Sequence, residues 1–204
     1  MKRGKARRRE RHWMDAYDAD HGWSQTAWPP AWLSRAWDPD RDWPTPPPHT
    51  STKDRYPVDF TFVTDRVATG GGLWTDADVE ALRAAGITHV VTAAEELQAT
   101  TARLLDGRMP YLLNGVKDDG LMKPTWWFAK TVDFARDALA DPNAKVYLHC
   151  WSGKNRGPCS AYAVLRALGY SPADAERSIR DARPKVILLY RQDADEALQR
   201  MGVS

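Results

Sequence analysis

The sequence predicts an α/β fold in which helices cover both faces of a central, mostly parallel sheet, preceded by an irregular N-terminal extension. From residue 58 onward, short apolar runs rich in β-branched residues alternate with segments of helical apolar spacing. Before residue 58 the composition differs: six of the ten tryptophans lie between residues 13 and 43, and eight of the fourteen prolines occur by residue 57. We therefore divide the chain into a Trp/Pro-rich extension, residues 1–57, and a domain, residues 58–204.

The domain begins with a predicted hairpin. Residues 58–63 alternate as a strand, and 66–69 are expected to be its antiparallel partner, before three glycines. Thr75 is a good helix N-cap, and the first helix is expected to end at Gly86. The remaining predicted elements are a strand at 87–92, a helix at 94–105, a strand at 110–113, a helix at 125–140, a strand at 145–148, a helix with apolar positions from 161 to 168, and a helix from the Ser171 cap to Arg183. In such a sheet the loops after the carboxyl ends of the strands form the functional site.

One of those loops carries recognisable chemistry. Residues 149–156 read His-Cys-Trp-Ser-Gly-Lys-Asn-Arg, between a strand and a helix. The backbone N–H groups of residues 151–156 can converge on an anion at the helix N-terminus, and the same field favours a thiolate at Cys150. Arg156 offers a planar fork for two phosphate oxygens, and Gly153 lets the loop bend close to a ligand.

This stretch matches the HCxxGxxR signature of the cysteine-dependent phosphatases, and over residues 58 to 200 the chain most resembles their small dual-specificity branch. The resemblance implies a dual-specificity phosphatase-like fold and hydrolysis of phosphomonoesters through a cysteinyl phosphate, with no cofactor and no metal. It implies Cys150 as nucleophile, Arg156 as phosphate clamp, and His149 as the residue that orients the loop and helps to keep the thiolate charged. The implied substrate-binding residues are Trp151, Ser152, Gly153, Lys154 and Asn155.

A phosphatase of this kind needs a general acid, because an alkoxide or phenoxide is a poor leaving group. In the small family members the acid lies on a loop about thirty residues before the nucleophile. Asp118 and Asp119 occupy such a loop, 32 and 31 residues before Cys150. We expect Asp118 to be the acid and keep Asp119 as the alternative; an Asp before Gly120 is also a common turn former.

Three residues depart from the family pattern or extend it. Gly157 stands where the family usually has a Ser or Thr whose hydroxyl assists departure of the thiolate, so slow hydrolysis of the intermediate is expected. Trp151 either stacks on a ring of the substrate or packs against a neighbouring helix. Lys154 resembles the lysine of the phosphoinositide-directed phosphatases, or is simply a solvated side chain. Four basic residues near the C-terminus could form a basic rim or a solvated face: Arg180, Arg183, Lys185 and Arg191.

The function expected is thus that of a dual-specificity or tyrosine phosphatase acting on a phosphorylated protein or a small phosphoester. The alternatives are a phosphoinositide or other small-phosphoester phosphatase and a non-enzymatic phosphate-binding module. A rhodanese-like sulfurtransferase fits less well, because the spacing of Gly153 and Arg156 and the paired aspartates suit phosphate better.

The composition indicates which partners and which cellular compartment to expect. Residues 1–11 carry seven Lys or Arg against one Glu, which suits an anionic partner or a solvated terminus. The indoles of residues 13–43 either pack on the domain or bind a partner. Two cysteines and no apolar run of membrane-spanning length lead us to expect a cytoplasmic protein without a membrane span. The oligomeric state is not defined by the sequence.

Overall fold

The computed structural model describes residues 58–203. The basic arm and the tryptophan-rich segment of the extension lie outside the described residues.

Five strands form one sheet: β1 (Phe60–Phe62), β2 (Val67–Gly70), β3 (His89–Ala94), β4 (Tyr111–Val116) and β5 (Val146–His149). Their order across the sheet is β1-β2-β5-β3-β4. Only the β1–β2 pair is antiparallel among the pairs of this sheet; the others are parallel. The predicted mostly parallel sheet and its opening hairpin are therefore confirmed.

Six helices lie within residues 58–203: α1 (Asp76–Ala84), α2 (Gln98–Leu105), α3 (Thr125–Leu139), α4 (Arg156–Ala167), α5 (Pro172–Ala182) and α6 (Arg191–Arg200). A 3₁₀ turn (Glu95–Leu97) precedes α2, so this helix starts later than the predicted residue 94. The sequence analysis did not predict α6. This helix has only three apolar residues, Ala194, Ala197 and Leu198, and is otherwise polar, so it gives little apolar signal.

Alternate residues of the strands enter two apolar cores, one on each face of the sheet. Val91 and Leu148 belong to the core that is shared with α3, α4, α5 and α6. Val90 and Tyr147 belong to the smaller core, shared with α1 and α2. This two-residue period is what strands buried on both faces require, and it confirms that helices cover both faces.

The predicted helix caps at Thr75 and Ser171 are present. The Thr75 hydroxyl accepts from the Asp78 N–H at 3.3 Å, and the Asp78 carboxylate accepts in return from the Thr75 N–H at 2.9 Å. The same carboxylate accepts from the Trp74 N–H at 2.8 Å, which fixes the backbone of Trp74. Ser171 caps α5 through the Asp174 N–H, with Pro172 at the first helical position.

No helix in residues 58–203 combines the length and the apolar character needed to cross a bilayer.

Candidate active site

Cys150 directly follows β5, the central strand of the five-stranded sheet. In the register of the sheet His149 lies between Gly70 of β2 and Thr92 of β3. The Cys150 N–H donates to the Gly70 carbonyl at 3.3 Å, and Cys150 is only 1% exposed. The thiol therefore lies at the base of a loop, at the carboxyl edge of the strands.

The loop from Cys150 to Asn155 is held from outside through its carbonyl groups. The Trp151 carbonyl accepts from the Gly72 N–H at 3.0 Å, and the Lys154 carbonyl accepts from the Ile187 N–H at 2.8 Å. The Gly153 carbonyl accepts from Arg183 Nε at 3.2 Å. Because carbonyl and N–H groups of one planar trans peptide point in opposite directions, the N–H groups that follow these carbonyls face away from the anchors.

Gly153 is required by the close approach of two loops. Its φ is +64°, and a Cβ built on it would lie 2.4 Å from the carbonyl carbon of Gly70. A larger residue would therefore push the loop off β2 as well as strain its backbone.

The N-terminus of α4 completes the anion-binding geometry. Within the described chain, Asn155 occupies the N-cap position without a side-chain capping bond. Its amide instead accepts from the Leu189 N–H at 2.8 Å and donates to Asp118 Oδ1 at 2.7 Å. The N–H groups of the first turn of a helix have no intrahelical acceptor, so this end of α4 can receive a negatively charged ligand.

Arg156 is 4% exposed in its side chain and has most of its donors engaged. Its two terminal nitrogens donate to Glu96 at 2.8 and 2.5 Å, and Nη1 also donates to the Val116 carbonyl at 2.8 Å. Nε makes no hydrogen bond among the described residues, although Asp118 Oδ2 lies 3.4 Å away. A guanidinium has five N–H groups, so the Nε edge and one Nη2 N–H remain as a fork for two ligand oxygens.

Glu96 and Arg156 shift each other's pKa in opposite directions. Burial by itself would lower the pKa of Arg156, but the hydrogen bonds and charge of Glu96, with smaller contributions from Cys150 and Asp118, raise it above its usual value. The hydrogen bonds from Arg156 lower the pKa of Glu96. Both side chains are therefore charged near neutral pH, and the guanidinium is held in one orientation.

Asp118 lies beside this loop. Its Oδ1 accepts from Asn155 and, at 2.8 Å, from the Tyr190 hydroxyl, while Oδ2 faces the free Nε of Arg156. The Tyr190 hydroxyl also accepts from the Gly120 N–H at 3.1 Å. Burial and the hydrogen bond to Asp118 raise the pKa of Tyr190 to about 12. The phenol therefore keeps its proton near neutral pH and donates the hydrogen bond to Asp118.

Asp119 points elsewhere. Its Oδ1 accepts from Lys123 Nζ at 2.5 Å and from the Leu121 N–H at 3.0 Å. The hydrogen bond from Lys123 lowers the pKa of Asp119, which disfavours the protonated form that an acid catalyst needs. Of the two aspartates, only Asp118 makes a polar contact with the Cys150 loop within residues 58–203.

His149 is fully buried next to Cys150. Its Nε2 lies 3.1 Å from the Thr92 hydroxyl, and its ring stacks on Tyr147 with centroids 5.4 Å apart. Burial lowers the pKa of His149 to about 4. The imidazole is thus neutral near pH 7, so it can orient the loop, whereas a full positive charge beside the thiolate is not available from it.

Gly157 and Cys159 follow on the first turns of α4. A Cβ on Gly157 would lie 3.1 Å from the Cys150 nitrogen, so the glycine lets this helix approach the base of the loop closely. Cys159 is buried, with Sγ 3.6 Å from Asn155 Oδ1, and burial raises the pKa of its thiol well above the usual range. It is therefore an unreactive thiol in this fold.

The mouth of the site is aromatic. Trp151 is 53% exposed and meets Trp74, 45% exposed, edge to face with ring centroids 4.8 Å apart. Trp151 thus contacts the loop after β2 instead of a helix. Ser152 and Lys154 are also exposed.

Of the four basic residues near the C-terminus that could form a basic rim, three are paired with carboxylates. Arg183 pairs with Asp59 at 3.1 Å, while Arg180 and Arg191 both pair with Glu176. The Arg183 and Arg191 pairs join separate elements of the fold, whereas the Arg180 pair lies within α5.

Sequence reasoning missed three residues that shape the site: Glu96, Tyr190 and Trp74. Glu96 follows the carboxyl end of β3, which is where the topology of such a sheet places functional side chains, so its position was a usable signal. Tyr190 and Trp74 gave no comparable signal, because their contacts span 72 and 77 positions of sequence.

Among the described residues no group of three His, Cys, Asp or Glu side chains is arranged to hold a metal ion.

No family model matches the chain. Solved structures do match it. The structure of PTPMT1 in complex with PI(5)P has a TM-score of 0.58 at 18% identity, covering 69% of this chain and 97% of that one. The human tyrosine phosphatase-like serine/threonine/tyrosine-interacting protein has a TM-score of 0.58 at 17% identity, covering 70% and 97%. DUSP15 has a TM-score of 0.56 at 18% identity, covering 70% and 94%. The chain therefore has the dual-specificity phosphatase-like fold of the cysteine-dependent phosphatases.

Proposed function

We propose that this protein hydrolyses phosphomonoesters through a cysteinyl-phosphate intermediate. The observation that carries the proposal is the meeting of three groups at the carboxyl edge of the sheet. The buried thiol of Cys150 and the Nε edge of Arg156, which makes no hydrogen bond within residues 58–203, lie at the two ends of one loop, and the carboxyl of Asp118 comes from the loop after β4.

In the first step the Cys150 thiolate attacks phosphorus in line. The S–P bond forms as the bond to the leaving oxygen breaks, and protonated Asp118 gives its proton to that oxygen. The N-terminus of α4 and the open edge of Arg156 bind the equatorial oxygens, so positioning and fixed charge supply most of the catalysis.

In the second step water attacks phosphorus while the Asp118 carboxylate takes its proton. The P–S bond breaks, its electron pair returns to Cys150, and inorganic phosphate leaves. Glu96 and Tyr190 act through other residues: Glu96 orients Arg156, and Tyr190 orients Asp118.

For the substrate we propose a phosphorylated protein side chain, phosphotyrosine foremost. The exposed Trp74–Trp151 pair can contact an aromatic ring that carries the phosphate. A phosphoinositide is the second candidate, favoured by the exposed Lys154 on the loop and by the neighbour bound to PI(5)P. Against it, Arg180, Arg183 and Arg191 are already paired with carboxylates and offer little charge to further phosphates.

Both cysteines are free thiols, and the proposed nucleophile works only when reduced. We therefore place the activity in a reducing compartment such as the cytoplasm.

The test is release of p-nitrophenol and phosphate from p-nitrophenyl phosphate, followed from milliseconds to hours for wild type and Cys150→Ser. We expect turnover in wild type and none above background in the variant. Folded wild type that binds vanadate but is inactive on p-nitrophenyl phosphate, phosphopeptides and phosphoinositides would show a phosphate-binding module instead. Cyanide-dependent sulfur transfer that requires Cys150 would identify a sulfurtransferase.

A further inference from the structure

Large apolar side chains are exposed around the mouth of the site. Seven such residues are exposed within the described part of the chain, and six of them lie on loops at the carboxyl edge of the sheet. We call these six the apolar rim: Trp74, Leu121, Met122, Trp151, Ile187 and Leu189. The seventh, Leu113, lies on β4.

The six residues belong to loops that contact one another. Trp74 meets Trp151 edge to face, and the backbones of Ile187 and Leu189 donate hydrogen bonds to the Cys150 loop. Leu121 and Met122 follow Gly120, which is tied to Tyr190. The six residues therefore lie on neighbouring loops around the site, and exposed apolar side chains grouped in this way mark a docking surface.

The topology brings the N-terminal side of the domain to the same border. Because β1 is antiparallel to β2, the chain enters β1 at the edge where the parallel strands end. The entry point is fixed there: the Asp59 carbonyl accepts from the Gly71 N–H at 2.8 Å, and the Asp59 carboxylate pairs with Arg183, which also binds the Gly153 carbonyl. The 57 preceding residues thus join the domain beside the Cys150 loop.

Those preceding residues contain apolar side chains that suit the rim. Six tryptophans lie in residues 13–43, and the next 14 residues, 44–57, can span at most about 50 Å. A tether of this length keeps the indoles at a high effective concentration near the rim, on the order of millimolar. Indoles and aliphatic side chains bury large areas against one another.

We infer that the tryptophan-rich segment, residues 13–43, docks on the apolar rim of its own chain. The observations that favour this occupant over an outside partner are the tether length and the fixed entry point at Asp59. The inference goes beyond the proposed hydrolysis and does not depend on it.

Hydrogen exchange of the full-length chain tests the docking without any measurement of activity. Wild type is compared with the triple variant Trp28→Ser/Trp32→Ser/Trp37→Ser, and with the matched triple variant that places Phe at the same positions. We expect backbone amides of residues 71–75, 120–123 and 186–190 to exchange about threefold faster or more in the Ser variant, and as slowly as wild type in the Phe variant. Amides of β3 and β5 should not change.

Substitutions on the apolar rim test the same docking through the exchange of the tryptophan-rich segment. Ile187→Ser/Leu189→Ser should speed exchange within residues 28–37, whereas Leu113→Ser should leave it unchanged. Equal exchange in wild type and the Trp-to-Ser variant would overturn the inference. So would protection that disappears on dilution, which would show that a second copy covers the rim, or protection that appears only with added lipid vesicles, which would identify a lipid surface as the occupant.

Discussion

Glu96 holds Arg156 by two hydrogen bonds, at 2.5 and 2.8 Å, and in doing so leaves the Nε edge of the guanidinium open. The pair therefore both restrains the arginine and selects which of its donors a phosphate can use. Such a restraint matters because arginine has a long, flexible side chain and the proposed catalysis depends on positioning.

We expect Glu96→Gln to lower kcat/KM for p-nitrophenyl phosphate about 10- to 100-fold, because the guanidinium loses its bidentate partner. Stability should fall by about 1–2 kcal/mol, less than for a fully buried pair, because the Glu96 side chain is 37% exposed. Steady-state kinetics and urea unfolding measure the two effects. Glu95→Gln, an exposed neighbour, is the control. Unchanged kinetics in Glu96→Gln would show that Arg156 needs no such restraint.

Substrates with different leaving groups distinguish the roles of Asp118 and Asp119. Asp118→Asn should lower kcat about 10²- to 10⁴-fold for phosphoserine or alkyl phosphates and much less for p-nitrophenyl phosphate, whose leaving group departs without a proton. Asp119→Asn, which loses only its contacts with Lys123 and Leu121, should stay within about tenfold of wild type for both substrates. The reverse pattern would make Asp119 the acid.

The aromatic mouth predicts a preference for aryl phosphates. Trp74→Ala should lower kcat/KM for p-nitrophenyl phosphate about three- to tenfold relative to a small alkyl phosphate, since an aromatic contact contributes about 0.5–1.5 kcal/mol. Leu113→Ala, which removes an exposed apolar side chain from β4, is the control. An equal loss on both substrates would mean that Trp74 only supports the loop.

Gly157 should limit the second step. Gly157→Ser and Gly157→Ala add the same Cβ, which lies 3.1 Å from the Cys150 nitrogen, so both disturb the base of the loop equally. If the hydroxyl assists departure of the thiolate, the Ser variant should hydrolyse its phosphoenzyme about tenfold faster than the Ala variant. The steady-state rate after the p-nitrophenol burst reports this ratio, and a ratio near one would contradict a role for the hydroxyl.

Buried neutral His149 should make the fold acid-sensitive. Its pKa falls from 6.5 in the unfolded chain to about 4 in the fold, so between these values the unfolded state binds more protons and stability is lost as the pH decreases. The loss amounts to about 3 kcal/mol between pH 7 and pH 4. Asp133 acts in the opposite direction: burial raises its pKa to about 6, so its stabilisation is lost as the pH rises through that value.

Chemical unfolding of wild type and His149→Gln at pH 7, 5.5 and 4 isolates the histidine, because the Asp133 contribution cancels in the difference. The stability gap between the two proteins should narrow, or reverse, toward pH 4. A gap that does not depend on pH would contradict the neutral, buried state of His149.

The sequence by itself determined the alternation of strands and helices, the caps at Thr75 and Ser171, and the loop that carries Cys150 and Arg156. These features are local: apolar periodicity, capping and a turn of fixed spacing depend on residues within a few positions of one another. Helix α6 escaped prediction because only three of its residues are apolar, which gives little apolar signal.

Only the tertiary structure decided which distant side chains meet. The hydrogen bonds between Glu96 and Arg156 and the contact between Trp74 and Trp151 join residues that are far apart in the chain. Asp118 and Asp119 are neighbours in the chain, but their side chains point in different directions. Two adjacent aspartates in a loop look alike in the sequence, so the sequence does not show which of them turns toward the Cys150 loop. That choice follows from hydrogen bonds with Asn155 and Tyr190, which exist only once the strands have brought their carboxyl ends together.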